Sequence, residues 1–431
     1  MQSVADRYWL ETLGCAKNAV DSEKITGVLI ADGLEEAISP EEADLVVVNT
    51  CAFVEAARQE SVDAVLALAE ARRPTARLVV TGCLAERYGD ALAEALPEVD
   101  QVTGFGVPVT LGRRPPATGS GGLDVARIDL LNLPRPPARA PWAYVKVAEG
   151  CDRACGFCAI PSFRGPQRSR SQESVLAEVE ELGVAEVVLV AQDLASYGRD
   201  VGAQPRPSHR PITELVEAVA ARVPRVRLLY LYPSELDDHL VDVICATGVP
   251  YFDLSLQHVS RTLLRRMRRR GDGDRFLARI RAIRASEPEA AFRSSFIVGY
   301  PGETEDDHDR LLAFLEEAQL DWAGFFPFSL EEGTHAAGLE GAVDAGLVAE
   351  RLREVGELQD AITAGRRATL VGRTVQVLVD EPGSGRSHRE APEIDGVVSL
   401  PDDLPVGRLV SVTITGAAGP DLEAVGAGAA A

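Results

Sequence analysis

At 431 residues the chain exceeds the size of one ordinary hydrophobic core, so two or three domains are expected. Hydrophobic residues at 46% and charged residues at 26% give the balance of a globular protein, with no apolar run of membrane-spanning length and no basic-then-apolar leader in MQSVADRYWLETLGC, so a cytoplasmic location is expected. A net charge of −22 argues against general affinity for a phosphate backbone and suits a basic protein partner.

Residues 1–112 alternate β-branched runs (RYWLETL, DLVVVNT, RLVVTG) with helical stretches at 21–32, 54–71 and 84–95, which predicts a small parallel α/β domain. Residues 113–140 are dense in Pro and Gly and read as a linker. A second series then begins: AYVKVAEG, EVVLVAQD, VRLLYLY, YFDLSLQH, FRSSFIVGY and WAGFFPFS, separated by amphipathic helices such as 172–182, 212–221 and 305–318. Six βα units over 141–367 predict an incomplete parallel barrel whose open side needs a cover. After a helix at 347–368, the runs RTVQVLVDE, IDGVVSL and RLVSVTITG predict a small all-β barrel over 368–431, with a disordered GAGAAA tail. The fold class is α/β with a small all-β domain at the carboxyl end.

Seven cysteines are present, and in a reducing compartment their positions matter more than any pairing. Cys151, Cys155 and Cys158 form C-x3-C-x2-C directly after a predicted strand. Thiolates are soft ligands suited to iron–sulfur clusters or zinc. Three of them in eight residues can wrap one face of a cubane cluster and leave its fourth iron open. Zinc would want a fourth ligand nearby, and the next His is His209. Gly150 and Gly156 allow the loop a tight path. Cys15, Cys51 and Cys83 each follow a predicted strand, and the carboxyl ends of parallel strands line one edge where ligands bind. Two readings stand for them: a second three-ligand cluster, or independent small hydrophobes at strand ends. Cys245, with helical apolar neighbours, reads as a buried core thiol.

The cysteine spacing, its place after the first barrel strand and Phe157 before the third cysteine resemble the radical S-adenosylmethionine superfamily. That resemblance implies that the open iron binds the methionyl amino and carboxylate groups and that reductive cleavage yields a 5′-deoxyadenosyl radical. LGCAKNAVDSE, NTCAFVEAARQES, TGCLAERY, AYVKVAEGCDRACGFCAIPSFRG, SLQH and FIVGYPGETE further resemble the methylthiotransferase family over essentially the whole chain. GCAKNAVDSE, AQDLASYG, LYLYP and APEIDG are similar to its RimO type, which modifies an aspartate of ribosomal protein number twelve of the small subunit; a sister type modifies adenosines in tRNA. What the resemblance implies is a TIM-like partial (βα)6 barrel, a TRAM-like β-barrel, two [4Fe-4S] clusters and two molecules of S-adenosylmethionine. A sulfur source and a flavodoxin- or ferredoxin-like reductant complete the set. Ala16 stands where RimO-type chains usually carry proline, which touches loop rigidity and not ligation.

From Ala368 to Ala431 there are four Arg and no Lys against nine Asp and Glu, a net of −5, and no aromatic residue. A barrel that grips tRNA should be basic and offer stacking rings, so the composition favours a protein substrate. Gln192 and Asp193, ending the second barrel strand, and Arg293, Ser295 and Ile297, on the fifth, are candidates for contacting the sulfonium cofactor, with a structural role equally open. Gln257 and His258 end the fourth strand and either face substrate or, for His258, form a hydrogen-bonded core histidine. The basic run Arg261–Arg275 reads as a solvated helix face, with a ribosomal RNA contact as the minority reading.

Overall fold

The computed structural model describes residues 6–109, 128–201 and 210–426. The first half of the expected linker and the GAGAAA tail beyond Gly426 lie outside the described residues.

The amino-terminal domain is a parallel sheet in which β1 (Arg7–Thr12), β2 (Leu45–Thr50) and β3 (Arg77–Gly82) are neighbours in that order, flanked by two-residue edge strands Glu35–Glu36 and Gln101–Val102. Every residue of β2 is buried, as an apolar run in a parallel sheet covered on both faces must be. Helices α1 (Ala16–Ala31), α2 (Glu55–Ala71) and α3 (Cys83–Ala95) connect the strands. Helix α1 starts five residues earlier than the apolar pattern predicts. Its first turns carry Lys17, Asn18 and Asp21, which break the apolar period, yet all three are buried: Asn18 and Asp21 meet Arg164, and Lys17 lies over the Tyr230 ring.

The central domain holds six parallel strands: β4 (Trp142–Lys146), β5 (Glu186–Val190), β6 (Arg225–Leu228), β7 (Tyr251–Gln257), β8 (Ala291–Val298) and β9 (Trp322–Pro327). They pair as β4-β5-β6 and β7-β8-β9, and the parallel bridge Leu231–Leu254 joins the two halves. This is the incomplete barrel expected from the sequence. In β8 the side chains of Phe292, Phe296 and Val298 enter the core under the helices, while Arg293, Ser295 and Ile297 share the other, half-buried face.

Two elements cover the open side. Ala16 and Val20 of α1 join Tyr144, Val190, Tyr251 and Trp322 in one buried cluster, with Ala391 of the carboxyl-terminal domain completing it. Each large apolar side chain sealed there stabilises by about 1.5–3 kcal/mol, which favours a fixed docking over a loose tether. The later part of the Pro/Gly stretch is fastened to α1 as well. Lys24 Nζ donates to the Leu131 carbonyl at 2.7 Å, and a Cβ on Gly27 would stand 2.8 Å from the Pro134 oxygen.

The carboxyl-terminal domain follows α4, a helix spanning Ala345–Ala368, and is a closed barrel of five strands between Thr374 and Gly426. Its segment 386–395 inserts under the central barrel: Trp322 Nε1 donates to the Arg389 carbonyl at 2.6 Å, the Tyr144 hydroxyl to the Pro392 carbonyl at 2.9 Å, and the Tyr251 hydroxyl to Asp395 Oδ2 at 2.6 Å. Glu186 is the ionic centre of this plug. It meets Arg227 at 2.8 Å, Arg386 at 3.3 Å and Arg225 at 3.6 Å, and the three guanidiniums hold its carboxyl far below the usual range against the opposing effect of burial.

Glu186→Gln leaves Arg225 and Arg227 buried without their carboxylate partner, while Arg386 keeps Asp380, and is expected to destabilise the protein by about 3–5 kcal/mol, read as a lower urea midpoint; an unchanged midpoint contradicts the assignment. His388, whose Nε2 lies 2.9 Å from the Glu289 carbonyl, is pushed down to about 4 by burial. Between about pH 6.5 and 4 the unfolded chain binds a proton that the folded chain refuses, so this contribution is full above 6.5 and lost as pH falls. Asp395, pushed up to about 6 by burial, acts in the opposite sense, so the comparison must isolate the imidazole. His388→Gln is expected to gain stability relative to the parent chain on going from pH 7 to pH 5, and parallel curves contradict this.

Candidate functional site

Cys15, Cys51 and Cys83 lie at the carboxyl edge of the three neighbouring strands β1, β2 and β3. Cys15 caps α1, Cys51 follows β2, and Cys83 opens α3 directly after Gly82. Gly14 has φ +99°, and a Cβ there would stand 3.0 Å from Cys51 Sγ, so the loop carrying Cys15 closes over Cys51. Burial pushes the Cys51 thiol up to about 11, and the charges of Cys15 and Cys83 push the same way. Cys83 is raised too by burial, with Arg164 opposing it. Cys15 goes the other way: against burial, Lys17, the Asn18 amide and Arg164 favour its thiolate. The three thiols sense one another electrostatically although up to 68 residues apart in sequence, so the topology converges them.

The second set sits in the loop after β4. Gly150 has φ +80°, and a Cβ would stand 2.1 Å from the Pro166 oxygen, so only glycine fits. The Gly156 amide donates to the Met267 carbonyl at 2.8 Å, which pins the loop to the barrel. Burial pushes Cys151 up to about 11 and Cys158 up to about 12, and the Cys155 charge adds to both. The Arg153 amide donates to Cys151 Sγ at 3.4 Å, and Arg269 Nη1 donates to Cys155 Sγ at 3.4 Å. Both guanidiniums lie 4.2 Å from the centroid of the Tyr232 ring.

Among the described residues no three His, Cys, Asp or Glu side chains converge on a single metal ion. A multi-iron cage asks for something else: thiolates spaced so that each reaches its own iron, with N–H donors aimed at the sulfurs. Both sets supply soft sulfurs, glycine-lined room and guanidinium donors, and so fit such a cage.

The two sets are joined by Arg164, on the short helix Ile160–Arg164 that follows the second cysteine loop. Its Nη1 donates to Asp21 Oδ2 and Glu149 Oε1, both at 2.9 Å, and its Nη2 donates to Asn18 Oδ1 at 2.7 Å and Cys83 Sγ at 3.0 Å. Lys146 completes the cluster by donating to Glu149 Oε2 at 2.6 Å and to Asp21. Against burial, Arg164 and Lys146 hold the Glu149 carboxyl down at about 2. Phe163 beside Arg164 enters the apolar core of the amino-terminal domain.

Gln192 and Asp193 lie at the carboxyl end of β5. Gln192 Nε2 donates to Glu149 at 2.9 Å, and Asp193 accepts from Arg153 Nε at 2.5 Å and from the Ser196 hydroxyl at 2.6 Å. Gln192 Oε1 and Asp193 Oδ1 are buried with no hydrogen-bond partner. Arg293 pairs with Asp253 at 3.1 Å and Asp395 at 3.5 Å, with Ser295 and Ile297 above it on the same face. His258 is buried, its Nδ1 accepting from the Ser260 amide at 3.0 Å, and burial pushes it down to about 4. That environment is the core-histidine reading, whereas Gln257 is half-buried at φ +71°. Cys245 is partly buried against the main core. Within the basic run, Arg265, Arg268 and Arg270 are exposed, but Arg269 is buried against Cys155, because the chain folds back at Arg268, φ +55°. Sequence reasoning missed Asp21, Lys146, Glu149, Arg153, Arg164 and Arg269. Charges inside buried strand patterns, such as Lys146 in AYVKVAEG, were the available signal.

No helix among the described residues is long and apolar enough to cross a membrane. Three family descriptions match in chain order: "Uncharacterized protein family UPF0004" over residues 7–104, "Radical SAM superfamily" over 145–315 and "TRAM domain" over 371–426. Among solved structures, the radical S-adenosylmethionine methyltransferase TsrM from Kitasatospora setae shares the fold at a TM-score of 0.56 and 14% identity, over 94% of this chain and 84% of that one. The relative named "Ribosomal protein uS12 methylthiotransferase RimO" from Streptomyces avermitilis is 43% identical over 96% of this chain and 95% of its own length. Its namesake from Moorella thermoacetica is 43% identical over 94% and 95%. At that identity over nearly the full length, with all three domains in order, the chain belongs to the RimO family of radical S-adenosylmethionine methylthiotransferases.

Proposed function

We propose that the chain inserts a methylthio group at the β-carbon of an aspartate in ribosomal protein uS12, consuming two molecules of S-adenosylmethionine. The observation that carries this reading is the contact of Arg164 with Cys83: one side chain ties the loop of one three-thiol set to a member of the other. When bound, a [4Fe-4S] cluster at Cys151, Cys155 and Cys158 supplies electrons to cleave the sulfonium cofactor, and one at Cys15, Cys51 and Cys83 supplies a station for exchangeable sulfur. The chain's own residues do the placing. The unpartnered Gln192 and Asp193 oxygens offer acceptors for the methionyl ammonium, and the face of β8 bearing Arg293, Ser295 and Ile297 offers room for the nucleoside. Glu149, ionised and locked by two cations, orients Gln192.

The acidic carboxyl-terminal barrel supports a basic protein substrate over tRNA. Two of its four arginines, Arg386 and Arg389, are buried in the plug together with Glu390 and Asp395, and Arg373 is paired with Glu289 at 2.7 Å, so few unpaired cations remain on its outward face. A flavodoxin- or ferredoxin-like donor and a reducing cytoplasm match seven free thiols and one-electron chemistry.

Anaerobically loaded protein with Cys15, Cys51 and Cys83 all changed to Ala is expected to hold iron for one cluster and still form 5′-deoxyadenosine. It should leave the mass of uS12 unchanged. Methylthiolation by that variant contradicts the reading. In a strain lacking the gene, uS12 is expected to lose the added mass while tRNA adenosines keep theirs; the reverse outcome assigns a tRNA substrate. Arg164→Met leaves Asp21 and Glu149 with Lys146 as their one cation, and is expected to destabilise by about 3–5 kcal/mol and to deplete iron from the Cys15/Cys51/Cys83 set first.

A further inference from the structure

Of the chain's 44 cationic residues only three are lysines, Lys17, Lys24 and Lys146, and all three are buried. A buried ammonium is costly unless an anion faces it. Lys24 meets Glu178 at 3.3 Å, and Lys146 meets Glu149 at 2.6 Å together with Asp21. Among the described residues Lys17 has no carboxylate in ion-pairing range. Its ammonium faces the Tyr230 ring, 3.2 Å from the centroid, and the Cys15 thiol.

The neighbouring cations are already matched or directed elsewhere, and among the described residues the one protein anion that the geometry sets against Lys17 is the Cys15 thiolate. Along the seam between the two thiol sets, Arg153 is neutralised by Asp193 and Glu235, Arg164 by Asp21 and Glu149, and Arg293 by Asp253 and Asp395. Arg269 directs its donors at Cys155 Sγ and the Ser255 carbonyl. Tyr230, the ring under Lys17, has φ +64°, a conformation that non-glycine residues adopt at a cost, and is held there by its amide donating to Asp253 Oδ2 at 2.9 Å. Strain kept at such a position is a mark of functional sites. Lys17 therefore stands as a desolvated point charge, two residues from Cys15, at the junction of α1 with the segment that follows β6.

We propose that Lys17 receives the side-chain carboxylate of the residue being modified, an inference that rests on the function proposed above. In an aspartate the β-carbon is bonded directly to that carboxylate. A cation that fixes the carboxylate beside Cys15 fixes the β-carbon beside the sulfur-bearing set, and an asparagine in the same place leaves the ammonium unneutralised. Lys17 is thus a specificity-determining residue, and the acidic class of the target follows from it.

The test uses the anaerobically loaded holoenzyme and two synthetic peptides of the uS12 target loop, one with Asp and one with Asn at the modified position, with product read by mass spectrometry. Wild-type protein is expected to prefer the Asp peptide in kcat/KM by about ten- to a hundredfold, the worth of a hydrogen bond to a charged group. In Lys17→Met the preference is expected to fall to near unity through a raised KM for the Asp peptide, and Lys17→Arg to restore most of it. A Lys17→Met protein that keeps the preference overturns the inference and leaves Lys17 serving Cys15 alone, as does a wild type that accepts both peptides equally. If the methionine variant fails to hold iron, an iron-replete Lys17→Arg protein without the preference overturns it instead. Wild-type protein that cleaves S-adenosylmethionine yet modifies neither peptide removes the underlying function, a separate failure.

Discussion

The architecture depends on one buried polar junction, in which the guanidinium of Arg164 and the ammonium of Lys146 meet the carboxylates of Asp21 and Glu149, with Asn18 and the Cys83 thiol at its edge. Two cations balance two anions, so no net charge is buried, but all four groups have left water. Such clusters contribute little net stability against an apolar alternative, and their value lies in demanding one arrangement. Here the demand falls on the relation between two domains. Asp21 and Asn18 belong to the helix that Cys15 caps; Glu149 and Arg164 bracket the loop that carries Cys151, Cys155 and Cys158. A shift of either domain breaks several charge-assisted bonds together, so the two thiol sets keep a fixed mutual position. Chemistry that generates a radical at one place and quenches it with sulfur at another needs that fixity, because a misplacement of about 1 Å can cost about a hundredfold in rate.

The carboxyl-terminal barrel is held by the same logic at the opposite end of the central domain. Glu186 gathers Arg225, Arg227 and Arg386, and Arg367 pairs with Glu390, so the inserted segment 386–395 carries both signs of charge into the floor of the open barrel. A six-stranded parallel sheet that does not close needs its exposed interior sealed, and the seal is divided between α1 above and this segment below. The domain is therefore part of the barrel's closure as well as an outward acidic surface. Arginines spent inward are unavailable to grip a phosphate backbone.

Much of this was legible in the sequence because it rests on periodicity and on the small menu of soft ligands. The βα alternation, the strand-end positions of Cys15, Cys51 and Cys83 and the tight C-x3-C-x2-C loop all follow from local pattern. What escaped was long-range and polar. Lys17, Asn18 and Asp21 made the start of α1 look like loop, since a buried polar turn carries no apolar signature, and its partners Glu149 and Arg164 lie over 120 residues away. Arg269 was hidden in a run of arginines that reads as solvated until the chain reverses at Arg268. APEIDG looked like family wording, and its physical role, with Ala391 and Asp395 sealed beneath the barrel, appears only once the third domain is docked.

The central claim, two cluster sites held at fixed close range by the Arg164 junction, is tested most directly by the spin relaxation of the reduced, fully loaded protein. Power saturation of its electron paramagnetic resonance signal should be compared with that of the two triple-cysteine variants, each loaded at one set only. Faster relaxation in the doubly loaded protein, reduced by Arg164→Met, is the expected result. A doubly loaded spectrum that saturates as the plain sum of the two single ones would place the sites too far apart to cooperate.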